Sequence, residues 1–293
     1  MNNITAINST QVQVHFRTAR IEGLDIFYRE AGDPEAPVIL LLHGFPSSSH
    51  MYRNLIPLLA THYRVIAPDY PGAGYSSRPV PETFAYTFDH LSEIMEHFID
   101  HLGLQQFHLY MQDYGGPVGF RIAVRRPELI ASLLIQNANT YTEGLGPDVQ
   151  EIGDLIASGD KEALAAAIDE KLTITHMRRD YLYAAINPER ISPDTWTLDA
   201  ILTDKPIQRV LFANYETNFP LYPVWQQYLR EHQPPTLITW GEHDTIFPGS
   251  GARAYLKDLP DAELHLFNSG HFILEEHAEE VAVLIKKFLK KKF

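Results

Sequence analysis

The sequence predicts an α/β fold: a mostly parallel, doubly wound sheet interrupted by a helical insertion. Three observations carry this. Short apolar runs bounded by Pro, Gly or turn residues recur along the chain, the pattern of strands buried on both faces of a parallel sheet. Amphipathic helical stretches separate several of them, as strand–helix alternation requires. Between about Thr140 and Glu231 the alternation stops, and helical patterns, prolines and aromatic residues take over.

In chain order, residues 12–31 hold two alternating segments, VQVHFRTARIEG and LDIFYREAG, which predict an antiparallel hairpin turning near Glu22 and Gly23. The runs PVILLLHG (37–44), YRVIAPDYPG (63–72), FHLYMQD (107–113), ASLLIQNAN (131–139), PTLITWG (235–241) and AELHLFNSG (262–270) predict buried parallel strands. Residues 87–102 place Leu91, Ile94, Met95, Phe98 and Leu102 on one helical stripe. Residues 275–290 do the same with Val281, Leu284, Ile285 and Leu289. The expected organisation is a core domain of residues 1–139 and 232–293, with 140–231 inserted as a helical cap. The cap would lie over the carboxyl ends of the strands, where open α/β sheets bind ligands.

Composition narrows the function classes. A chain of 293 residues with 45% apolar and 21% charged residues is an ordinary globular length and make-up. A formal net charge of −13 argues against nucleic acid or an anionic membrane as partner, because phosphate would be repelled. The absence of cysteine excludes disulfides, thiolate catalysis and Cys-ligated zinc. No His/Glu spacing of the zinc-protease kind occurs, so neither a metal nor a cofactor is expected. The N-terminus carries no apolar run of signal-peptide length and the longest aliphatic run is VILLL at 38–42, so a cytoplasmic location is expected. The sequons at Asn3 and Asn8 are read as chance matches, and the terminal IKKFLKKKF as a last helical turn whose lysines complement the negative dipole end.

The chemistry concentrates where strands end. In Met111-Gln112-Asp113-Tyr114-Gly115-Gly116 a hydrophobic strand meets a tight turn and a helix, with a carboxylate at the apex. This is the nucleophile-elbow pattern with aspartate in place of serine. Asp113 alone would equally suit a helix cap. Asp244, in the loop after one later strand, and His271, just after the next, complete an order of nucleophile, acid and histidine, each at a strand's carboxyl end. His43-Gly44-Phe45-Pro46 follows an early strand and offers an oxyanion-hole donor, so the hole is assigned to the backbone N–H groups of Phe45 and Tyr114. His43 is read as structural.

With these motifs in hand the chain resembles the α/β-hydrolase superfamily along nearly its whole length, in the branch with an aspartate nucleophile. HGFPSSSHMYR, DYPGAGYSS, MQDYGGPVGFRIA, WGEHDTIFP and SGHF carry the resemblance. That branch contains epoxide hydrolases, haloalkane dehalogenases and fluoroacetate dehalogenases. The resemblance implies an ester on Asp113, then its hydrolysis by water activated by His271 and Asp244. The partners it implies are a small apolar organic substrate and water.

The leaving group is read from two positions and the insertion. In the dehalogenases a tryptophan follows the nucleophile and an asparagine often stands in the oxyanion loop. Here Tyr114 and Phe45 occupy these places, and the His-Trp pair of the fluoroacetate branch is not apparent. Epoxide hydrolases use tyrosine hydroxyls as acids, and LFANYETNFPLYPVWQ (211–226) resembles their tyrosine-bearing cap helix. Tyr215 is the first acid candidate, with Tyr141, Tyr181 and Tyr183 as options for a second. Trp196 and Trp225 are candidates for donating an indole N–H to a halide. Epoxide opening is therefore the expected activity, haloalkane hydrolysis the alternative, and a hydrolase-fold ligand-binding protein with little turnover the alternative of another class.

Overall fold

The structure is a computed structural model that describes residues 12–293, so Asn3, Asn8 and the start of the chain lie outside the described residues. The strands are β1 (Val14–Ile21), β2 (Leu24–Ala31), β3 (Val38–Leu42), β4 (Arg64–Pro68), β5 (Phe107–Gln112), β6 (Ile130–Gln136), β7 (Thr236–Gly241) and β8 (Glu263–Phe267). The helices are α1 (Leu55–Leu59), α2 (Phe88–His101), α3 (Gly115–Arg125), α4 (Pro147–Ser158), α5 (Lys161–Lys171), α6 (Ile174–Leu182), α7 (Asp194–Leu202), α8 (Lys205–Asn214), α9 (Tyr222–His232), α10 (Gly249–Ala254) and α11 (Leu274–Lys292).

Among the described residues, eight strands form one sheet in the order β1-β2-β4-β3-β5-β6-β7-β8. β2 pairs antiparallel with β1 and β4, and the pairs from β4–β3 through to β7–β8 are parallel. The β1–β2 hairpin turns on Glu22 and Gly23, both at positive φ (48° and 82°), the geometry that a tight two-residue hairpin turn requires. β5 is buried at every position, as its largely apolar run foretells. β8 differs from the expectation of a strand covered on both faces. As the last strand it is half-buried over most of its length, because its outer edge has no neighbour to cover it.

The helical stripes fall where the sequence puts them. α2 buries Leu91, Ile94, Met95 and Phe98, and its start is capped by Thr87, whose side chain accepts from the His90 N–H. α11 buries Val281 and Ile285 and ends on Lys290, Lys291 and Lys292. Among the described residues no helix is long and apolar enough to cross a membrane.

Helices α4 to α9 lie between β6 and β7. α4 and α5 build a small apolar cluster of their own around Ile152, Ile168 and Leu172. α8 and α9 instead continue the main core: Ile207, Leu211, Trp225 and Leu229 share a cluster with residues of α2, α3 and the sheet. Trp225 stacks on Phe120 of α3 with ring centroids 5.4 Å apart, and the Arg121 guanidinium lies 5.5 Å from its ring centre.

Candidate active site

Asp113 sits between the last residue of β5 and the first of α3, with φ at +49°. A left-handed conformation at a non-glycine residue costs on the order of 1–3 kcal/mol, and here it lifts the side chain out of the strand over the sheet edge. Glycines make the approach of α3 possible. A Cβ on Gly115 would collide with the Leu42 carbonyl of β3, and one on Gly44 with the Asp113 side chain itself.

The two carboxylate oxygens have different surroundings. Oδ1 accepts the Phe45 N–H at 2.7 Å. Oδ2 faces His271 Nε2 at 3.8 Å. Burial pushes the Asp113 carboxyl above its ordinary value, while the His271 charge and the N–H groups of Phe45 and Tyr114 pull it back.

His271 stands in the loop between β8 and α11, 3% exposed. Its Nδ1–H donates to Asp244 Oδ2 at 2.6 Å. Asp244 follows β7 and is held in turn: Oδ1 accepts from the Ile246 N–H, and Oδ2 also accepts from the Asn137 amide at 2.8 Å. Burial lowers the affinity of the imidazole for a proton. The charge and hydrogen bond of Asp244, with Asp113 adding, overcome this and carry it up to about 9. Once Asp113 is uncharged, that contribution is gone.

An open cleft of about 690 Å³, solvent at its mouth included, reaches Asp113. Its wall is apolar around the carboxylate, formed by Phe45, Tyr114, Ile152, Phe212, Tyr215 and Phe247. Lys171, His176 and Asp180 line it as well. The structure thus brings Asp113, His271 and Asp244 together, with Phe45, Tyr114 and Tyr215 beside them. The Tyr215 hydroxyl is buried without a hydrogen-bond partner, and so is that of Tyr114. The two rings stack with centroids 5.9 Å apart. Burial first, then the neighbouring Tyr222 and the Asp113 charge, holds the Tyr215 phenol protonated well above its usual range.

The other aromatic candidates do not line this cleft. Tyr141 points elsewhere and donates to Asp258 Oδ2 at 2.7 Å. Tyr181 donates to Asp199 Oδ2 at 2.6 Å and stacks on Phe272, the residue after His271, at 4.0 Å. Tyr183 is 48% exposed. Trp225 is buried against Phe120, and Trp196 packs near Tyr181 with centroids 6.3 Å apart. His43 is buried as a loop residue, its Nε2 accepting the Tyr70 N–H at 3.3 Å.

Sequence reasoning passed over Gln112, whose amide Nε2 lies 2.7 Å from His271 Nε2, and Asn137, which clamps Asp244. The signal was present: each is a polar residue closing an apolar strand, in YMQ and LLIQN.

A family model described as the alpha/beta hydrolase fold matches residues 37–278. The chain belongs to the α/β-hydrolase family. It is 39% identical over 294 residues to an uncharacterized hydrolase of Saccharomyces cerevisiae, covering 96% of this chain and 97% of that one. It is 29% identical to a haloalkane dehalogenase of Psychrobacter cryohalolentis, over 91% of this hydrolase and 88% of the relative. The solved epoxide hydrolase CorEH shares the fold, with a TM-score of 0.76, 22% identity and coverage of 95% and 99% of the two chains. The chain is therefore an α/β-fold hydrolase with haloalkane dehalogenases among its sequence relatives and an epoxide hydrolase among the structures that share its fold.

Proposed function

We propose that this hydrolase opens epoxides to diols through an ester on Asp113, with residues 140–231 serving as the cap that closes the site. The observation that carries the reading is the Tyr215 hydroxyl, buried and protonated in the cleft wall beside Asp113, with the Tyr222 hydroxyl as its one polar side-chain neighbour and no partner at full hydrogen-bond geometry. A buried hydroxyl without a partner is costly, and an epoxide oxygen would supply the missing acceptor. Tyr114 offers a second such hydroxyl.

Asp113 Oδ1 is engaged by the Phe45 N–H, which leaves Oδ2 to attack the epoxide carbon. The ring C–O bond breaks, its electron pair goes to oxygen, and that oxygen takes the Tyr215 proton. Esterification neutralises Asp113, so His271 becomes a weaker holder of its proton and returns one to the tyrosinate. The neutral imidazole, oriented by Asp244, then draws a proton from water, which attacks the ester carbonyl. Oδ1 becomes the oxyanion, held by the Phe45 N–H that it already accepts, with the Tyr114 N–H beside the carboxyl as the second donor. On collapse the diol oxygen takes the proton of the new carboxyl group, restoring the Asp113 carboxylate beside the His271 imidazolium.

Halide departure needs weak N–H donors at the leaving group, and neither Trp196 nor Trp225 lines the cleft. A panel of epoxides and halobutanes tests the choice. Wild type is expected to form diols, Asp113→Ala to form none, and neither to release chloride or bromide. Halide release without diol would put the dehalogenase reading first. No turnover on either class or on activated esters would leave a ligand-binding protein.

A further inference from the structure

We infer that Gln112 is a positioning residue for the hydrolytic half-reaction, its amide serving His271 Nε2 in both protonation states. The inference rests on the reading of His271 as the water-activating base. Gln112 is fully buried at the end of β5, and its Nε2 is 2.7 Å from His271 Nε2. Its Oε1 is equally buried and has no partner. That oxygen abuts Gly44, where a Cβ would collide with it, so the loop carrying the Phe45 N–H leaves the amide its space.

The chemistry explains the unpartnered oxygen. During ester hydrolysis Nε2 changes role: while the imidazole is neutral its lone pair accepts the Gln112 N–H until the attacking water takes that place, and once it holds water's proton it is a donor. A carboxylate in this place would favour the cation throughout, and a hydroxyl or aliphatic side chain could not reach as a planar two-sided group. A carboxamide presents a donor on one side and an acceptor on the other, exchanged by a half-turn about its last bond, without adding charge. The buried Oε1 is then a reserve acceptor for the imidazolium N–H, which Asp113 no longer offers as an anion once it is an ester. The other charged groups bearing on His271 are Asp244 beside Nδ1, Asp113 on the elbow and Asp180 from α6. Each is a carboxylate, so Gln112 is the neutral member of the set.

The test is a rapid-quench single turnover with styrene oxide, separating ester formation from ester hydrolysis as a function of pH. It is run on wild type, Gln112→Leu, Gln112→Glu and His271→Gln, with thermal unfolding as a check on folding. Gln112→Leu is expected to form the ester near the wild-type rate but to hydrolyse it at least about tenfold more slowly, the scale of a lost hydrogen bond to a charged group. Gln112→Glu keeps the shape and holds the imidazolium, so its acidic limb of hydrolysis moves to higher pH. Wild-type hydrolysis and an unmoved limb in both variants, with His271→Gln still trapping ester, would overturn the inference alone. Equal slowing of both steps would reduce Gln112 to a packing residue and also overturn it. No trapped ester in His271→Gln would overturn the base reading, and the inference with it.

Discussion

Asp113, His271 and Tyr215 divide the proposed chemistry by their surroundings rather than by their types. Asp113 is committed at Oδ1 and free at Oδ2; His271 is committed at Nδ1 and meets an amide at Nε2; Tyr215 has only the Tyr222 hydroxyl near it. The 14 histidines and 15 tyrosines of the chain are told apart by partners that come from far along it. Tyr141 and Asp258, 117 residues apart, form one hydrogen bond; Tyr181 and Asp199 form another. No local pattern carries such pairings, which is why the placing of Asp113, Asp244 and His271 at strand ends could be read from the sequence and the partners of the tyrosines could not. If Tyr215 gives the proton, Tyr215→Phe should slow ester formation by about 10²-fold while leaving ester hydrolysis near wild type. Rapid-quench measurement of the two steps checks this, and equal slowing of both would contradict the assignment.

At the scale of elements, the strand–elbow–helix unit is where sequence and geometry correspond most closely. The run from Phe107 to Gln112 is apolar enough to demand burial, and the glycines after Asp113 let α3 settle onto β3. The core strands were legible because period and composition agree. Helices α4 to α9 fall between β6 and β7, within the segment where the strand–helix alternation stops in the sequence. The depth of α9 was not legible: its Trp225 and Leu229 carry core burial that a lid helix would not need. Gly115→Ala tests the elbow. The added methyl meets the carbonyl of Leu42, a backbone atom in the middle of the sheet, so relief requires moving α3 or β3. A loss of about 1–3 kcal/mol in denaturant unfolding is expected, together with loss of activity. Unchanged stability would show that the packing of α3 on β3 is slacker than described.

At the scale of the whole molecule, polar contacts as well as apolar ones tie the inserted helices to the core and to one another. Thr245 donates to Asp148 of α4 at 2.8 Å, beside the loop that carries Asp244. Asp199 of α7, 2% exposed, accepts the Tyr181 hydroxyl of α6. Burial pushes the Asp199 carboxyl up to about 7, against the pull of its Tyr181 hydrogen bond. The sign follows from proton binding. Between the ordinary carboxylate value and about 7 the folded protein keeps a proton that the unfolded chain has released, so stability falls as pH rises through that window. Above it the full cost of a buried charge is present, and below it none is. Asp199→Asn keeps an acceptor for Tyr181 and removes the charge. It should stabilise the fold by on the order of 2 kcal/mol above pH about 7 and by nothing near pH about 4. Urea unfolding at the two pH values checks this, and an equal difference at both would contradict it.

The ester on Asp113 is the hinge of the account, and His271→Gln exposes it most directly. This variant keeps Asp113, the Phe45 and Tyr114 N–H groups and Tyr215 while removing the base proposed for the second half-reaction. Incubated with styrene oxide and digested, it is expected to yield an Asp113 peptide heavier by the mass of one epoxide. Normal turnover with no adduct on that peptide would contradict the mechanism.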